Sequence, residues 1–232
     1  TMPAQQWWDN THGADHRVVS DRDRRFRESL AAPGGPDDKW PAGVSGVKSE
    51  RAGQDGVRFA DGAKGVVRQA PAGRTDQPLT ISFWLRTPDR LVSSTILDHK
   101  QVVDPKAKKK IEAGWRITST PRGSLSFELT DEKGQSIRGL LPGDQALAPA
   151  AWQHVCVRYS GGRSNSSISM LVNGELRRLR NANESVVGVS ALPGGPMTIG
   201  SSLATGGLGA VNIWSRWLSN EEVAVLAGAS RL

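Results

Sequence analysis

Apolar and polar positions alternate along the second half of the chain, most clearly between Ala151 and Leu176. In the first part of this stretch the apolar set comprises Val155, Val157 and Tyr159, and in the second part it comprises Ile168, Met170 and Val172. Because successive side chains of a β-strand point to opposite faces of the sheet, a period of two predicts two half-buried strands. Asn173-Gly174 then favours a tight turn into a further short strand.

Further short strand patterns recur from residue 57 onward, separated by turn-forming residues. They are Val57–Ala60, Gly65–Gln69, Leu79–Thr87, Ser94–His99, Gly114–Thr118, Ser124–Thr130, Ser136–Leu141, Pro196–Gly200 and Ala210–Trp217. Such spacing, with almost no helix, is typical of an all-β sandwich or barrel. Only the end of the chain has a helical pattern, in which Ser219 and Glu222 complete a capping box before an apolar stripe.

Residues 1–50 lack a sustained pattern, and we predict that they form an N-terminal arm and loop. Gln5–Trp8 is compatible with a short strand, and Asp21–Leu30 with either a short helix or a solvated arm. Ala32–Gly46 is rich in proline and glycine and is predicted to be a loop. Trp40 within it is either an anchor on the core or an exposed contact.

The alternation also assigns the strand residues to faces. Core positions are predicted to be Ile81, Phe83, Leu85, Leu125, Phe127 and Leu129, and outward positions Trp84, Arg86, Glu128, His154 and Arg158. An outward tryptophan beside two arginines can form a platform that stacks on a sugar ring and reads its charge. The alternative is that Trp84 packs beneath the N-terminal arm or the C-terminal helix, since outer sheet faces are often covered.

Composition adds evidence about partners. The net charge of +7 suggests either an anionic partner or a device for solubility. The basic run Lys106–Lys110 is not accompanied by a nucleic-acid motif, so nucleic acid is not expected as a partner. Eight tryptophans stand beside one tyrosine. Tryptophan can stack on sugar rings, although its large apolar area makes it a core residue first.

Other sequence features limit the class of protein. No apolar run approaches the length of about 18 residues expected of a membrane span, and the first residues lack the apolar core of a signal peptide. Thr1 before Met2 favours an excised segment of a longer protein. Cys156 is the single cysteine, so no internal disulfide is possible, and its place among valines favours a buried packing role.

Four stretches in this order resemble the laminin G-like members of the concanavalin A-like jelly-roll superfamily. They are Gly53–Gly62, Leu79–Thr87, Trp152–Leu176 and Gly206–Leu226. The resemblance implies an all-β, two-sheet antiparallel jelly-roll sandwich with one short C-terminal helix. It also implies non-catalytic recognition of glycans or protein partners, often with a calcium ion at one rim.

One departure from the family bears on calcium. The closing strand of the family commonly begins with Gly-any-Ile-Asp, whose aspartate helps to bind the ion, and Gly209 stands at that position here. Asp55 and Asp61 remain in the opening turn without forming a ligand-spaced cluster. Because Ca²⁺ needs several oxygen ligands, the loss of this one disfavours calcium, which stays open as an alternative. No metal ligand and no cofactor is assigned.

The resemblance also suggests a cellular context. Similar domains are embedded in large cell-envelope proteins of planctomycete-type bacteria, beside cytochrome c-type domains. We therefore expect a bacterial, extracytoplasmic domain, periplasmic or at the cell surface, with neighbouring domains of the same chain as possible partners. The chain has no Cys-any-any-Cys-His motif, so it attaches no c-type haem itself.

Catalysis must be considered because related jelly rolls include glycoside hydrolases and polysaccharide lyases. Retaining hydrolases place two carboxylates about 5.5 Å apart, and the nearest candidate is Glu128–Glu132, whose spacing is wrong and whose second half is typical of a turn. His12 and His16 are separated by Gly13, which disfavours a metal-binding helix. Asp98-His99-Lys100 at a strand end is either a site or a solvated rim.

We therefore predict one laminin G-like domain over residues 1–232, with a sandwich body at 53–227. The predicted function is non-catalytic carbohydrate binding, with anionic polysaccharides favoured. Tryptophans would stack on sugars and basic side chains would read acidic groups, and the candidate residues are Trp115, Arg116, Trp84, Arg86, Trp40, Lys108, Lys110, His99 and Arg158. The alternatives are a protein-interaction or architectural domain of a larger envelope protein, and a polysaccharide hydrolase or lyase.

Overall fold

The computed structural model of the chain describes residues 23–28, 30, 39–47, 56–88, 93–104, 106, 108, 110–120, 122–181, 186–201, 203 and 206–228. Within them, β1–β6 are Arg24–Glu28, Val44–Val47, Gly56–Phe59, Val66–Ala70, Gly73–Arg74 and Leu79–Arg86. β7–β12 are Ser94–Val102, Glu112–Ser119, Leu125–Thr130, Ser136–Leu140, Trp152–Tyr159 and Ile168–Val172. β13–β17 are Glu175–Arg177, Arg180–Asn181, Ala191–Leu192, Gly195–Ile199 and Gly207–Trp214, and α1 is Asn220–Leu226.

The strands form two antiparallel sheets and one short ribbon. Sheet A has the order β13-β12-β11-β6-β17-β3-β2, with β1 also paired to β17, and sheet B has the order β14-β10-β9-β8-β7-β16-β4. The ribbon pairs β15 with β5. Because strands distant in the chain are neighbours in both sheets, the fold is a jelly-roll sandwich, as the resemblance implied, rather than an up-and-down barrel.

The inner faces of the two sheets enclose one apolar core. Sheet A contributes Ile81, Phe83 and Leu85, and sheet B contributes Phe127 and Leu129, each at most 1% exposed. These are the residues that the period of two assigned to the inside. Burying each such side chain contributes about 1.5–3 kcal/mol before the entropy of ordering is counted.

A second apolar cluster lies on the opposite face of sheet A. Helix α1 covers this face, and the cluster consists of Cys156, Leu171, Trp214, Leu218 and Val223. The capping box starts the helix as predicted, because the Ser219 side chain accepts from the Glu222 N–H and the Glu222 carboxylate accepts from the Ser219 N–H. The outer face of sheet A is therefore covered rather than exposed.

The predicted turn at Asn173-Gly174 is present, with φ angles of 53° and 84°. Left-handed backbone at both positions matches the right-handed twist of the flanking strands, as a type I′ turn requires. The turn places β13 beside β12 at the edge of sheet A. This hairpin lies within the stretch Ala151–Leu176, where the alternation is clearest.

The N-terminal predictions were wrong where the structure describes that region. The possible helix at Asp21–Leu30 contains strand β1, which pairs with β17, and the predicted loop at Ala32–Gly46 contains the start of strand β2, which pairs with β3. Long-range pairing with a sheet overrides weak local preference.

Some residues considered above cannot be placed. Gln5–Trp8, His12, His16 and Asp55 lie outside the described residues. Within the described part of the chain, no helix has the length and apolar character needed to cross a membrane.

Candidate functional site: a cavity at one end of the sandwich

A cavity of about 590 Å³ opens at the end of the sandwich where β6 begins and β17 ends. Sheet A contributes Leu79 and Ile213 to its wall, and sheet B contributes His99 and Trp115. The segment 71–74 and Leu192 close the remaining sides. Its volume falls within the range of about 300–1,000 Å³ that holds small organic ligands.

The sheet B wall is a histidine–tryptophan pair. His99 on β7 lies directly opposite Trp115 on β8 in the sheet register, and their ring centroids are 5.4 Å apart at an interplanar angle of 57°. Both side chains occupy inward positions and are 1% and 3% exposed. The alternation of β8 places Trp115 inward and Arg116 outward, so these two predicted binding residues lie on different faces of the sheet.

His99 is buried without a hydrogen bond. Neither Nδ1 nor Nε2 of its ring has a partner among the described residues. Burial lowers the pKa of His99, and the nearby charge of Asp98 opposes this shift only in part. The ring is therefore neutral at pH 7, with one N–H donor and one nitrogen acceptor, both unmet. Leaving such a group unsatisfied costs free energy unless a ligand or water supplies the partner.

The segment Pro71–Pro78 forms another part of the cavity wall, and hydrogen bonds hold it in place. The Thr75 N–H donates to the Ser190 carbonyl at 3.0 Å, and the Thr75 hydroxyl donates to the Gly188 carbonyl at 2.7 Å. The Tyr159 hydroxyl bonds to the Thr75 carbonyl. Burial raises the pKa of Tyr159 to about 12, so this donor keeps its proton throughout the physiological range. The wall is therefore preorganised.

Two arginines lie at the mouth of the cavity. Arg74 makes a two-pronged pair with Asp76, with its Nε 2.8 Å from Oδ1 and its Nη2 3.1 Å from Oδ2. Arg25 on β1 donates from Nε to the Ser215 hydroxyl at 3.0 Å, and the Ser215 N–H donates to the Asp23 carbonyl at 2.9 Å. Among the described residues, no carboxylate forms an ion pair with Arg25. The mouth thus presents two guanidinium groups, together with the carboxylates of Asp23 and Asp76, above an apolar and hydrogen-bonding interior.

Arg116 belongs to the outer face of sheet B. There a cross-strand row of alternating charge runs over β7, β8, β9 and β10, and it consists of Asp98, Arg116, Glu128 and Arg138. Arg116 Nη2 is 2.8 Å from Asp98 Oδ2 and 3.4 Å from Glu112 Oε2. Lys100 Nζ is 2.8 Å from Glu128 Oε2. These charges largely satisfy one another.

Arg158 and Trp84 lie on the outer face of sheet A, as the alternation predicted, but both are buried, at 3% and 4% exposure. Arg158 Nη1 donates to the Leu218 carbonyl and to Asn220 Oδ1, each at 2.8 Å. Its guanidinium also stacks 4.4 Å from the centre of the Trp217 ring. Arg158 therefore holds the segment that leads into α1 and does not belong to the candidate site.

The remaining predicted residues are dispersed. Trp40 is half-buried and packs against the core, and Arg86 is half-buried at the end of β6 remote from the cavity. Lys108 and Lys110 are exposed in the β7–β8 loop, which leaves the sheet at the cavity end. Of the predicted binding residues, the structure brings His99 and Trp115 together in one site.

The residues do not fit a calcium site at the family position. Gly209 lies inside sheet A, opposite Gly56 and Trp84, and has no side-chain oxygen. Asp61 is exposed in a turn. Over the residues that the structure describes, no cluster of three or more histidine, cysteine or acidic side chains is arranged to hold a metal ion.

The acidic stretch considered for catalysis has structural partners. Asp131 Oδ1 accepts from the Lys133 and Gln135 N–H groups at 2.9 and 2.8 Å, and Oδ2 accepts from the Gly188 N–H at 2.6 Å. The carboxylate therefore organises a turn, as predicted for this segment. Glu128 is paired with Lys100, as described above. Neither acid is arranged as one half of a carboxylate pair around a scissile bond.

Comparison with known families decides the relationship of the chain. A family model described as the concanavalin A-like lectin/glucanases superfamily, laminin G type, matches residues 53–224. The chain belongs to this superfamily. A comparison with curated proteins gave no match. Strands β1 and β2 precede the matched residues, so the match does not include strand β1, which carries Arg25.

Solved structures share the superfamily fold at low sequence identity. The binding domain of Paraclostridial Mosquitocidal Protein 1 has a TM-score of 0.61 and 17% identity over 89% of this chain and 52% of that one. The binding domain of botulinum neurotoxin serotype G gives 0.60 and 13% over 88% and 50%. The receptor-binding domain of the botulinum neurotoxin C/D mosaic serotype gives 0.59 and 11% over 90% and 52%. The chain spans about half the length of these structures.

Sequence reasoning missed the residues at the mouth. Arg25 was assigned to a helix or a solvated arm, and Arg74 was not considered. A usable signal for Arg74 was present, because Pro71–Pro78 is a proline-bounded turn directly before the hallmark strand of the superfamily. No local signal places Arg25 beside it, since their proximity depends on the pairing of β1 with β17.

Proposed function

We propose that this domain is a non-catalytic carbohydrate-binding module whose ligand is an anionic polysaccharide. The observation that carries the proposal is the end cavity, where Trp115 and the unpartnered His99 lie beneath two arginines. Tryptophan offers an apolar surface for the C–H face of a sugar, and a neutral imidazole can donate to and accept from its hydroxyls. Guanidinium groups suit carboxylate and sulfate oxygens.

The comparisons support binding rather than turnover. The similar solved structures are described as binding or receptor-binding domains of toxins. The superfamily also contains glucanases, but Glu128 and Asp131 are committed to a lysine and to backbone N–H groups. We therefore propose recognition without hydrolysis or elimination.

The cellular setting is part of the same proposal. The chain aligns with about half of each solved toxin domain. We propose an extracytoplasmic location in a bacterium, where polysaccharides of the envelope or the surroundings are accessible.

A glycan array followed by calorimetry tests the proposal. Sulfated, uronic and neutral polysaccharides are presented to the wild-type protein and to Trp115→Ala. We expect binding to acidic glycans by the wild type and a loss of roughly ten-fold or more in Trp115→Ala, because a stacked tryptophan at the centre of a site contributes about 2 kcal/mol or more. Trp40→Ala is the matched control and should retain affinity. Absence of binding to every glycan would overturn the proposal.

A further inference from the structure

We propose that the cavity receives the terminal uronic-acid residue of a glycan chain end-on, with His99 hydrogen-bonded to its hydroxyls and its carboxylate at the arginines of the mouth. This inference rests on the proposed function and specifies how the ligand is bound. It differs from binding along a groove, in which internal residues of the polymer are recognised. The distinction follows from the shape of the cavity and the chemistry of its base.

The cavity is blind. Behind Leu79, His99 and Trp115, the next inward residues on the same three strands are Ile81, Leu97 and Ile117, and each is 0% exposed. The core is therefore closed directly beneath the site. A polymer cannot pass through between the sheets, and we infer that the end of a chain enters the 590 Å³ space.

The base of the cavity requires a ligand with hydroxyl groups. His99 is 1% exposed, and neither ring nitrogen has a partner within the described part of the chain. A sugar hydroxyl both donates and accepts, so hydroxyls can satisfy a neutral imidazole at both nitrogens. The ring of Trp115, tilted against His99 at 5.4 Å, provides the adjoining apolar surface. A purely apolar ligand would leave the imidazole unmet.

The mouth determines where the acidic group lies. Arg25 is anchored through Nε to Ser215, and Arg74 is anchored to Asp76. Both side chains line the same cavity, Arg25 from β1 and Arg74 from β5. Because Arg74 is already paired with Asp76 through two nitrogens, Arg25 is the arginine of the mouth that has no carboxylate partner among the described residues. A carboxylate matches the planar fork of a guanidinium. A uronic acid combines this carboxylate with ring hydroxyls in a single residue, and it therefore fits both levels of the cavity.

Calorimetry with galacturonate oligomers tests end-on binding. The ligands are the di-, tetra- and hexasaccharide and polygalacturonate. We expect the three oligomers to bind with affinities within about two-fold of one another, since the contacts are made by the terminal residue alone. The polymer should bind one protein per chain end. Affinity that rises with each added residue, with many proteins bound along each polymer, would overturn end-on recognition while leaving carbohydrate binding intact.

The two proposals fail in different ways. If only sulfated or neutral glycans bind, the uronic-acid assignment is wrong although carbohydrate binding stands. If no glycan binds, the proposed function itself fails.

Replacement of the histidine tests its role. His99→Phe keeps an aromatic ring but removes both nitrogens. We expect digalacturonate affinity to fall by about ten-fold or more while the melting temperature of the free protein rises, because an unsatisfied buried group is removed. Arg122→Ala, an exposed change in the β8–β9 turn at the opposite end of β8, is the control and should alter neither. Unchanged affinity in a folded His99→Phe protein would overturn the role.

A measurement on the wild type covers the case in which the variant does not fold. In protein labelled with ¹⁵N at histidine, saturating digalacturonate should shift both ring nitrogens of His99. Ring signals that stay constant at saturation would overturn the assignment.

Discussion

Two histidines of this domain lie across a strand pair from a tryptophan. His99 opposes Trp115 in sheet B and His154 opposes Trp84 in sheet A, with ring centroids 5.4 Å apart in both pairs. The His154 Nε2 is 2.8 Å from the Ser82 hydroxyl, whereas neither nitrogen of His99 has a partner among the described residues. The His154 Nδ1 also lacks a partner among the described residues. The pairs therefore differ in that His154 keeps one hydrogen bond, whereas His99, which lines the cavity, has none.

The burial of His154 predicts a dependence of stability on pH. Burial lowers its pKa from 6.5 to about 3. Above pH 6.5 the ring is neutral in both the folded and the unfolded state and contributes no pH dependence. Between about pH 6.5 and pH 3 only the unfolded state binds the proton, so the free energy of unfolding falls by about 1.4 kcal/mol per pH unit. From pH 6.5 to pH 4 we expect a loss of about 3 kcal/mol from this group.

Urea denaturation at several pH values measures this loss. His154→Gln removes the titrating group and should show a correspondingly shallower fall in the free energy of unfolding on acidification. The other titrating groups are common to both proteins, so the difference between the two curves isolates His154. Parallel curves would show that His154 does not retain its depressed pKa in the folded state.

At the scale of elements, helix α1 and its approach determine which surface of sheet A is available. The apolar cluster beneath the helix and the hydrogen bonds of Arg158 hold it against the outer face. Arg158 is 3% exposed beneath this cover, and Trp84 on the same face is 4% exposed. The buried contacts on the outer face of sheet A therefore stabilise the fold, and the proposed binding site lies at the end of the sandwich instead.

Replacing Arg158 tests that division of roles. Arg158→Met keeps an apolar stem of similar length but loses the bonds to Leu218 and Asn220. We expect the free energy of unfolding to fall by about 2–4 kcal/mol, because hydrogen bonds to a buried charge are strong. Glycan affinity below the melting temperature should stay unchanged. Arg122→Met, an exposed arginine, should alter stability by no more than about 0.5 kcal/mol.

Thermal denaturation and calorimetry of both variants provide the measurements. A stable Arg158→Met protein that has lost glycan affinity would instead place Arg158 in the binding site.

The sequence predicted elements well where the determining forces are local. The period of two located β6 and β11 and their inward residues, and the Ser219–Glu222 capping box located α1. It failed for β1, whose strand conformation depends on pairing with β17 nearly the whole chain away. It also located His99 and Trp115 without indicating that they share a cavity, because that depends on how loops from distant segments meet.

The assignment of faces shows the same limit. Alternation correctly separated Trp84 from Phe83, but it cannot tell whether an outer face meets solvent or another element. Burial of Arg158 results from its contacts with Leu218 and Asn220, which are distant in the chain. Arg25 and Arg74, by contrast, lacked any pattern that would relate them to each other.

At the scale of the whole molecule, part of the net charge of +7 lies near the cavity. At its mouth, Arg25 and Arg74 are offset by Asp23 and Asp76. Lys108 and Lys110, in a loop that leaves sheet B at the same end, add the excess positive charge there. Positive charge near the opening raises the local concentration of an anionic ligand and its rate of association. The charge is therefore expected to act in binding as well as in solubility.

Salt dependence measures this contribution. We expect the affinity for galacturonate oligomers to fall between about 0.1 M and about 1 M NaCl, where the Debye length shrinks from about 10 Å to about 3 Å. The double variant Arg25→Ala/Arg74→Ala should bind more weakly and with a smaller salt effect. Arg122→Ala/Arg138→Ala removes the same charge away from the mouth and should retain the wild-type salt effect. Equal salt effects in the two double variants would contradict local steering.

Strand β1 has a consequence for how recognition diversifies among such domains. It joins sheet A beside the end of β17, outside residues 53–224 that define the superfamily match, yet it brings Arg25 to the cavity. A relative could exchange this leading strand for another and acquire a different selectivity without any change to the shared core. A fragment limited to residues 53–224 would lack β1 and therefore one side of the candidate site. A ligand screen on such a fragment would test an incomplete cavity.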